Sequence, residues 1–538
     1  MITVIKILEK INKVIMMKTK YIFIGLITVL FLAIGVSGCE SYNEELLDGI
    51  GNTREYSPIG LKAIIRNSTS VELNWTAKED ENADHYVVEF SADDPEFKTI
   101  YKTINVTSKE LPVQVALEGE TTYSIRVKAV SAAGIEDSNW SVTTATTLSE
   151  QIFLPIKAEE IEAGSVVLRW TPNSNVTQIS FQPGDITHTI TAEEKTAGVA
   201  IVTGLTPETN YSVTLKNGAK TRGTLTFTSG VDLTKGIVIN PQDDLIAKVA
   251  QAPAGSRLLL MPGVYQTTGE VIVNKTLIFR GVRPENKPKL TVKFTLANNP
   301  ANTGETVSLS LIDLDLNGKT LTGGAIAISS AQAVPLGDVL ISACYVHDFP
   351  SQLMYGNAAA RLKSFTVDNS IIKNVNTASG ADFIDFRTTY VASITLTKST
   401  FDTCSSRDFI RLDAAAGFSG TGLTSNVLID ACTIYAPALP LASRMLYVRF
   451  ASNVLTVTNT LFSVGSAVYT NSTITNAPGF SNNNNYNSAN LQLIGNNNRP
   501  DAAATTLNPQ FTNAAAGDFT IGNQTLKDNA IGDPRWIK

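Results

Sequence analysis

Charged and aromatic side chains alternate with apolar ones in three short segments of the second half of the chain. Apolar residues at every second position, such as Ile384, Ile410 and Val448, are predicted to point inward, and their neighbours then point outward. The outward residues form two columns, which are Asp385, Arg411 and Tyr447 in one and Arg387, Asp413 and Arg449 in the other. The pattern therefore predicts a compact surface patch of alternating charge with one aromatic ring.

This patch allows three interpretations. Arginine binds carboxylates through paired hydrogen bonds, and a tyrosine can stack on a sugar ring, so the six residues are candidates for binding an acidic glycan. A charge ladder in which neighbouring rungs neutralise one another, with no ligand, is the plain alternative. An arginine flanked by carboxylates as a catalytic base is the third, although its high pKa opposes deprotonation.

The catalytic residues of an enzyme cannot be assigned from the sequence. A glycoside hydrolase needs clustered carboxylates for acid and base work, and residues 230–538 contain a single histidine, His347. His347 and Asp348 are expected in a turn after a strand, and an ordinary turn histidine is favoured over the edge of a site because it lacks partners. No cofactor or metal site is predicted. Calcium bound by aspartate and carbonyl oxygens stays open, without a ligand spacing to support it.

The elements that must position these side chains repeat with a period near 28 residues. The predicted rungs are 309–317, 339–346, 365–372, 394–401, 427–434 and 455–462, and second strands are predicted at 325–328, 383–387, 409–413 and 446–450. Repeated strand units that cannot bury a face alone form a solenoid. Cys344 and Cys432 share one register with small residues, so they are predicted to lie in the core rather than form a disulfide.

The preceding region has alternating strands of a different kind. Trp75 on a predicted strand, followed by Leu117 and Tyr123, resembles the buried tryptophan and tyrosine corner of a fibronectin type III domain. Trp170 and Tyr211 repeat the pattern. The resemblance implies one such domain at 58–148 and a second at 152–229, both interpreted as spacers rather than ligand-binding modules.

The N-terminus carries an export signal, because Lys18 and Lys20 precede an apolar run that ends in Val36-Ser37-Gly38-Cys39. This resembles a lipobox, which implies a signal peptide at 1–38, a lipid on Cys39 and a tether at 39–57. Acidic residues after Cys39 resemble the surface-export signal of Bacteroidetes lipoproteins, and a solvated linker is the alternative interpretation of the same residues. The expected location is therefore the outer membrane at the cell surface, and the net charge of −6 argues against a nucleic-acid partner.

The last region resembles pectate-lyase-like proteins. The segment 255–265 looks like the opening coil of their right-handed parallel β-helices, and 531–536 resembles an uncharacterised group of Bacteroidetes lipoproteins. The resemblance implies an all-β protein in which two fibronectin-like sandwiches precede a β-helix at 231–538. It also implies a protein that captures a pectin-like or other acidic polysaccharide for an outer-membrane uptake complex. A polysaccharide lyase with an atypical site, and an adhesin or structural stalk, are the alternatives.

Overall fold

The computed structural model describes residues 53–538 except 77–82, 298–303, 333, 378–379, 414–417, 419–420, 438–443, 450–451 and 496. The predicted signal peptide, Cys39 and most of the tether lie outside these residues. The chain forms two compact units, one reaching to Ile152 and including Leu215–Gly223, the other formed by Phe153–Thr214 and Thr224–Lys538.

The first set of strands is an antiparallel sandwich. Its strands are β1 (Ile59–Arg66), β2 (Ser70–Thr76), β3 (Ala83–Ala92), β4 (Lys102–Val106), β5 (Val113–Ala116), β6 (Thr122–Ser131) and β7 (Ser141–Thr146). They form two sheets of order β1-β2-β5 and β4-β3-β6-β7, which enclose Trp75 and Tyr86. The Glu118 N–H donates to the hydroxyl oxygen of Tyr123 over 3.1 Å, so the predicted tyrosine corner is confirmed.

A second, smaller sandwich follows. It consists of β8 (Ser165–Arg169), β9 (Gln178–Gln182), β10 (Ile186–Thr189), β11 (Val199–Thr203), β12 (Asn210–Asn217) and β13 (Lys220–Thr228), with helix α1 (Ala192–Ala197) before β11. Trp170 is fully buried, and the Thr206 N–H donates to the Tyr211 hydroxyl over 2.8 Å. The second tyrosine corner predicted from the sequence is therefore present.

From Ile237 onward the strands pair in parallel, and we call this part the parallel-strand domain. Face 1 contains β14 (Ile237–Ile239), β15 (Ser256–Leu260), β17 (Leu277–Gly281), β19 (Leu309–Ile312), β22 (Leu336–Ser342), β25 (Arg361–Asp368), β28 (Tyr390–Thr397), β31 (Asn426–Asp430), β34 (Leu455–Thr458) and β36 (Gly479–Ser481). Face 2 contains β16 (Val264–Val273), β18 (Lys289–Leu296), β20 (Asp315–Asn317), β23 (Tyr345–His347), β26 (Ile371–Lys373), β29 (Thr400–Asp402), β32 (Thr433–Tyr435), β35 (Leu461–Ser463) and β37 (Asn484–Asn485).

Face 3 is formed by short strands that continue from the end of β18. These strands are β21 (Ile326–Ile328), β24 (Met354–Gly356), β27 (Ile384–Phe386), β30 (Ile410–Leu412) and β33 (Leu446–Val448). Helix α2 (Leu245–Gln251) lies near the start of the domain and α3 (Gln524–Asp528) near its end. Five successive turns of the chain, from β19 to β33, each add one strand to each face. The long parallel sheets are therefore consistent with a β-helix, and the all-β prediction is confirmed.

The six predicted rungs are each two strands joined by a corner. The corner residue has a positive φ, which is 55° at Asp313, 52° at Ala343, 46° at Asn369, 48° at Lys398, 52° at Ala431 and 49° at Asn459. The next residue points inward, and the N–H of Cys344 donates to Ser370 Oγ over 3.0 Å. Cys344 and Cys432 are buried as predicted, and burial raises the pKa of the Cys344 thiol to about 12.

One strand of face 3, β24, is absent from the second strands predicted from the sequence. Strand β24 pairs with β27, and Gly356 lies opposite Phe386. A Cβ atom at Gly356 would come within 2.6 Å of the Phe386 ring, so a glycine is required here. A glycine weakens a strand pattern in the sequence, which is why the prediction missed this strand.

Candidate functional site

The charged residues singled out in the sequence come together on face 3. Ile384, Ile410 and Val448 are fully buried, so the predicted inward orientation is confirmed. Asp385, Arg411 and Tyr447 are in register on adjacent strands. The backbone hydrogen bonds of Asp413 and Arg449 continue the same ladder beyond the strand ends.

At the centre of this arrangement lies Asp382, which the sequence analysis did not select. Its side chain is fully buried and accepts hydrogen bonds from Arg387 over 3.0 Å, from Arg407 over 2.5 and 2.7 Å, and from Arg411 over 3.3 Å. The backbone N–H of Asp408 donates a further bond over 3.1 Å. Burial opposes ionisation, but these donors outweigh it and hold the pKa of Asp382 below its usual value.

Asp385 differs from the prediction that it forms part of an exposed patch. The side chain is fully buried, so that prediction is wrong for this residue. Its Oδ1 accepts a 2.7 Å hydrogen bond from Arg387 Nε, whereas its Oδ2 has no partner among the described residues. Burial, opposed by the bond from Arg387 and reinforced by the charge of Asp382, raises the pKa of Asp385.

The outer part of the arrangement surrounds Tyr447. Arg411 donates to Asp413 Oδ2 over 2.7 and 2.9 Å, and Arg449 approaches the other oxygen of Asp413 at 3.4 Å. The guanidinium carbon of Arg444 lies 3.8 Å from the centre of the Tyr447 ring, a cation–π distance. Those of Arg411 and Arg449 lie at 5.2 and 6.0 Å.

Four members of this site were missed from the sequence. They are Asp382, Arg407, Asp408 and Arg444, and together with the six predicted residues they form what we call the face-3 cluster. Asp382, Asp408 and Arg444 stand two positions before the first residue of β27, β30 and β33, so their shared offset was a signal. Both Phe383 and Ile384 are buried, however, and this interruption of the two-residue period placed Asp382 outside the alternating pattern.

Exposure divides the face-3 cluster by charge. The side chains of Asp382 and Asp385 are fully buried, Asp408 is 1% exposed and Asp413 is 15% exposed. The arginines are more exposed, at 47% for Arg449, 40% for Arg407, 32% for Arg387, 23% for Arg444 and 16% for Arg411. The cluster therefore presents guanidinium groups that are held from below by carboxylates.

His347 lies on face 2, within strand β23 rather than in the expected turn. Its Nε2 is 3.0 Å from Asp315 Oδ1, its Nδ1 is 2.7 Å from Asp348 Oδ2, and its ring stacks on Tyr345. The expectation that it lacks partners is therefore wrong. Burial opposes its protonation, but hydrogen bonds to the two carboxylates prevail and raise the pKa of His347.

These contacts leave His347 without a free nitrogen for proton transfer from a substrate. Among the described residues, no group of three or more His, Cys, Asp or Glu side chains is arranged to hold a metal ion. In the same part of the chain, no helix is long and apolar enough to cross a membrane.

One domain of the chain matches a family whose fold is known. Residues 56–146 match the fibronectin type III domain, so the chain contains such a domain. Residues 263–406 match a domain of unknown function, DUF4957, and residues 427–536 match a second, DUF5123. The face-3 cluster draws residues from both of these regions and from the segment between them. No curated protein matches the chain.

Several solved structures are similar to part of the chain. A two-domain fibronectin type III segment of chicken tenascin is 17% identical, with 32% of this chain and 97% of that chain covered and a TM-score of 0.22. The FN1–FN3 domains of chicken CNTN1 are 16% identical, with coverage of 32% and 66% and a TM-score of 0.15. The central fibronectin-III array of RIM-binding protein is 19% identical, with coverage of 36% and 67% and a TM-score of 0.14.

Proposed function

We propose that the protein is a surface lipoprotein that binds an acidic polysaccharide through the face-3 cluster of a right-handed, pectate-lyase-like β-helix. One observation carries this proposal: three of the four carboxylates of the cluster are at most 1% exposed, whereas four of its five arginines are 23–47% exposed. A mutually neutralising ladder would expose both signs alike. Here the outer surface offers guanidinium groups, which bind carboxylates by paired, charge-assisted hydrogen bonds.

The buried carboxylates also fix the arginines in place. The single residue Asp382 contacts three arginines, which are Arg387, Arg407 and Arg411. These long side chains have therefore already lost much of their rotamer freedom. Binding of a ligand therefore costs less conformational entropy, because these side chains are already ordered. The half-buried Tyr447, between arginines, supplies an aromatic surface for a sugar ring.

The remaining parts of the proposal concern how the site is displayed. The lipobox-like sequence at Cys39 supports attachment to the outer membrane, and two sandwiches before the parallel-strand domain support a spacer role. An outer-membrane glycan uptake complex is the proposed partner. The lyase alternative has less support, because Asp385, the carboxyl of the face-3 cluster whose pKa is raised, is fully buried and the nitrogens of His347 are already bound.

Affinity electrophoresis of the full-length chain in detergent tests this function. We expect polygalacturonate to retard the wild-type protein, and we expect Arg449→Ala and Arg407→Ala to weaken binding at least about tenfold, equivalent to ~1.4 kcal/mol. Salt should weaken binding too, since the exposed charges are screened. Arg66→Ala is the matched control. Arg66 lies in the first sandwich and is also 47% exposed, so its substitution removes the same charge from a similarly exposed position.

Two results would reject the proposal. Equal retardation of the wild type and the cluster variants would remove the cluster from binding, and no retardation by any uronate polysaccharide would favour the stalk. Absorbance from unsaturated products, followed with and without calcium in the same mixtures, would instead establish a lyase.

A further inference from the structure

An open groove lies at the last coils of the parallel-strand domain, and it shares no residue with the face-3 cluster. Its volume is about 640 Å³, within the range of ~300–1,000 Å³ found for small-molecule sites. The lining side chains are neutral, and those with polar groups or an aromatic ring are Ser466, Asn485, Tyr486, Asn487, Ser488, Asn490, Gln492 and Thr506. Among the described residues that line it, none is charged.

Hydrogen bonds to the backbone hold the wall of this groove. Asn490 Nδ2 donates to the Ser466 carbonyl over 2.7 Å, and Gln492 Nε2 donates to the Ala504 carbonyl over 2.8 Å. Ser488 Oγ accepts from the Val464 N–H over 2.8 Å. Because the amides are held through their nitrogens, their carbonyl oxygens remain available as acceptors for hydroxyl groups.

Asn485 adds a buried polar group to the groove. The residue is 1% exposed, its Oδ1 accepts from the Tyr469 hydroxyl over 3.5 Å, and its Nδ2 has no partner among the described residues. Leaving such a group unpaired costs ~1–3 kcal/mol. This enclosed amide is part of the polar wall of the groove, and the more exposed polar side chains are the ones that a ligand can contact.

Exposed aliphatic side chains follow directly after the lining residue Gln492. Leu493 is 52% exposed and Ile494 is 82% exposed, the highest value among the large hydrophobic side chains of the described residues. Neither lines the groove, and it is the lining residue Tyr486 that places an aromatic ring beside the neutral hydrogen-bonding groups. A ligand that matches both has many hydroxyls, no charge and apolar C–H faces, which is the chemistry of a neutral sugar.

We propose that this groove binds an uncharged saccharide, and that the protein therefore has a second glycan site independent of the arginine-based one. The groove carries no charge to attract a uronate, so the two sites differ in the class of sugar that they recognise. Binding at the groove should also resist salt, because it depends on hydrogen bonding and apolar contact rather than on exposed charge.

Affinity electrophoresis of the full-length chain in detergent, with linear galactan, arabinan and xylan as probes, tests the groove. We expect at least one of these neutral polysaccharides to retard the wild type. Tyr486→Ala and Asn490→Ala, which each change a lining residue, should weaken that binding about tenfold or more, whereas Arg449→Ala should not. Tyr101→Ala is the matched control, since Tyr101 is a tyrosine of the first sandwich that is 42% exposed and does not line the groove.

The outcome separates this proposal from that for the face-3 cluster. Loss of polygalacturonate binding in Arg449→Ala, with neutral-glycan binding retained, would support two sites. The groove proposal is overturned if no neutral polysaccharide retards the wild type, or if Tyr486→Ala and Asn490→Ala bind as well as Tyr101→Ala. Circular dichroism of each variant shows whether a loss reflects unfolding.

Discussion

Hydrogen bonding gives different roles to two equally buried aspartates that stand three positions apart. Asp382 and Asp385 are both fully buried, yet the pKa of Asp382 is lowered and that of Asp385 is raised, because Asp382 receives more hydrogen bonds. The ionised Asp382 therefore orients the surrounding arginines. Asp385 has a raised pKa, but its side chain is fully buried and cannot reach a polysaccharide. Its raised pKa is a consequence of packing rather than a sign of acid catalysis.

The pKa shift of His347 predicts a pH-dependent contribution to stability. The pKa of His347 in the folded protein lies above its ordinary value near 6.5. The stabilisation by the protonated ring is therefore fully present below about pH 6.5. The stabilisation is lost as the pH rises through the folded pKa, because the neutral ring cannot donate to both Asp315 and Asp348. We expect the Tm of the wild type to fall more between pH 6 and pH 9 than that of His347→Gln.

Thermal unfolding of the two proteins across this pH range checks the prediction. The pKa of Asp348 is lowered, so its ionised form stabilises the fold and this stabilisation is lost only as the pH falls into the acid range. Asp348 therefore does not obscure the effect of His347 above pH 6. Parallel Tm curves for the two proteins would show that the histidine contributes no proton-linked stability.

At the scale of elements, the sequence predicted the strands of the parallel-strand domain better than the turns between them. Alternation identified the rungs at 309–317 and 427–434 because their inward residues are apolar in the sequence. It did not reveal the corners at Asp313 and Ala431, because a single left-handed residue leaves no hydrophobic signature when it is not glycine. Asp382 escaped notice for a different reason, because the buried neighbours Phe383 and Ile384 interrupt the two-residue period and place it outside the alternating pattern.

The corners predict an unusual response to glycine. Ala431 has a φ of 52°, a left-handed conformation that costs an L-residue ~1–2 kcal/mol, so Ala431→Gly should stabilise the domain by about 1 kcal/mol. Ala327→Gly is the control within strand β21, where glycine should destabilise by ~0.5–1 kcal/mol. Calorimetric unfolding measures both changes. Destabilisation of equal size at the two positions would show that the corner stores no backbone strain.

At the scale of the whole molecule, the C-terminus completes the parallel-strand domain. Trp536 Nε1 donates to Thr400 Oγ1 over 2.7 Å, and the buried Asp533 accepts from the same hydroxyl over 2.7 Å. Arg535 donates to both oxygens of Asn369 over 2.8 Å. The last residues are thus fixed against coils more than a hundred positions earlier, which gives a structural reason for the motif at 531–536.

With the C-terminus fixed in this way, the proposed attachment to the membrane depends on the opposite end of the chain. We expect Cys39→Ala to abolish metabolic labelling with a fatty acid and to move the protein from the membrane fraction to the soluble fraction, since that thiol is the proposed site of lipid attachment. Cys344→Ala is the matched control, because it removes a buried thiol and should leave the label unchanged. A Cys39→Ala protein that keeps both its label and its membrane association would show that the anchor lies elsewhere, and display of the two proposed glycan sites would then need a different explanation.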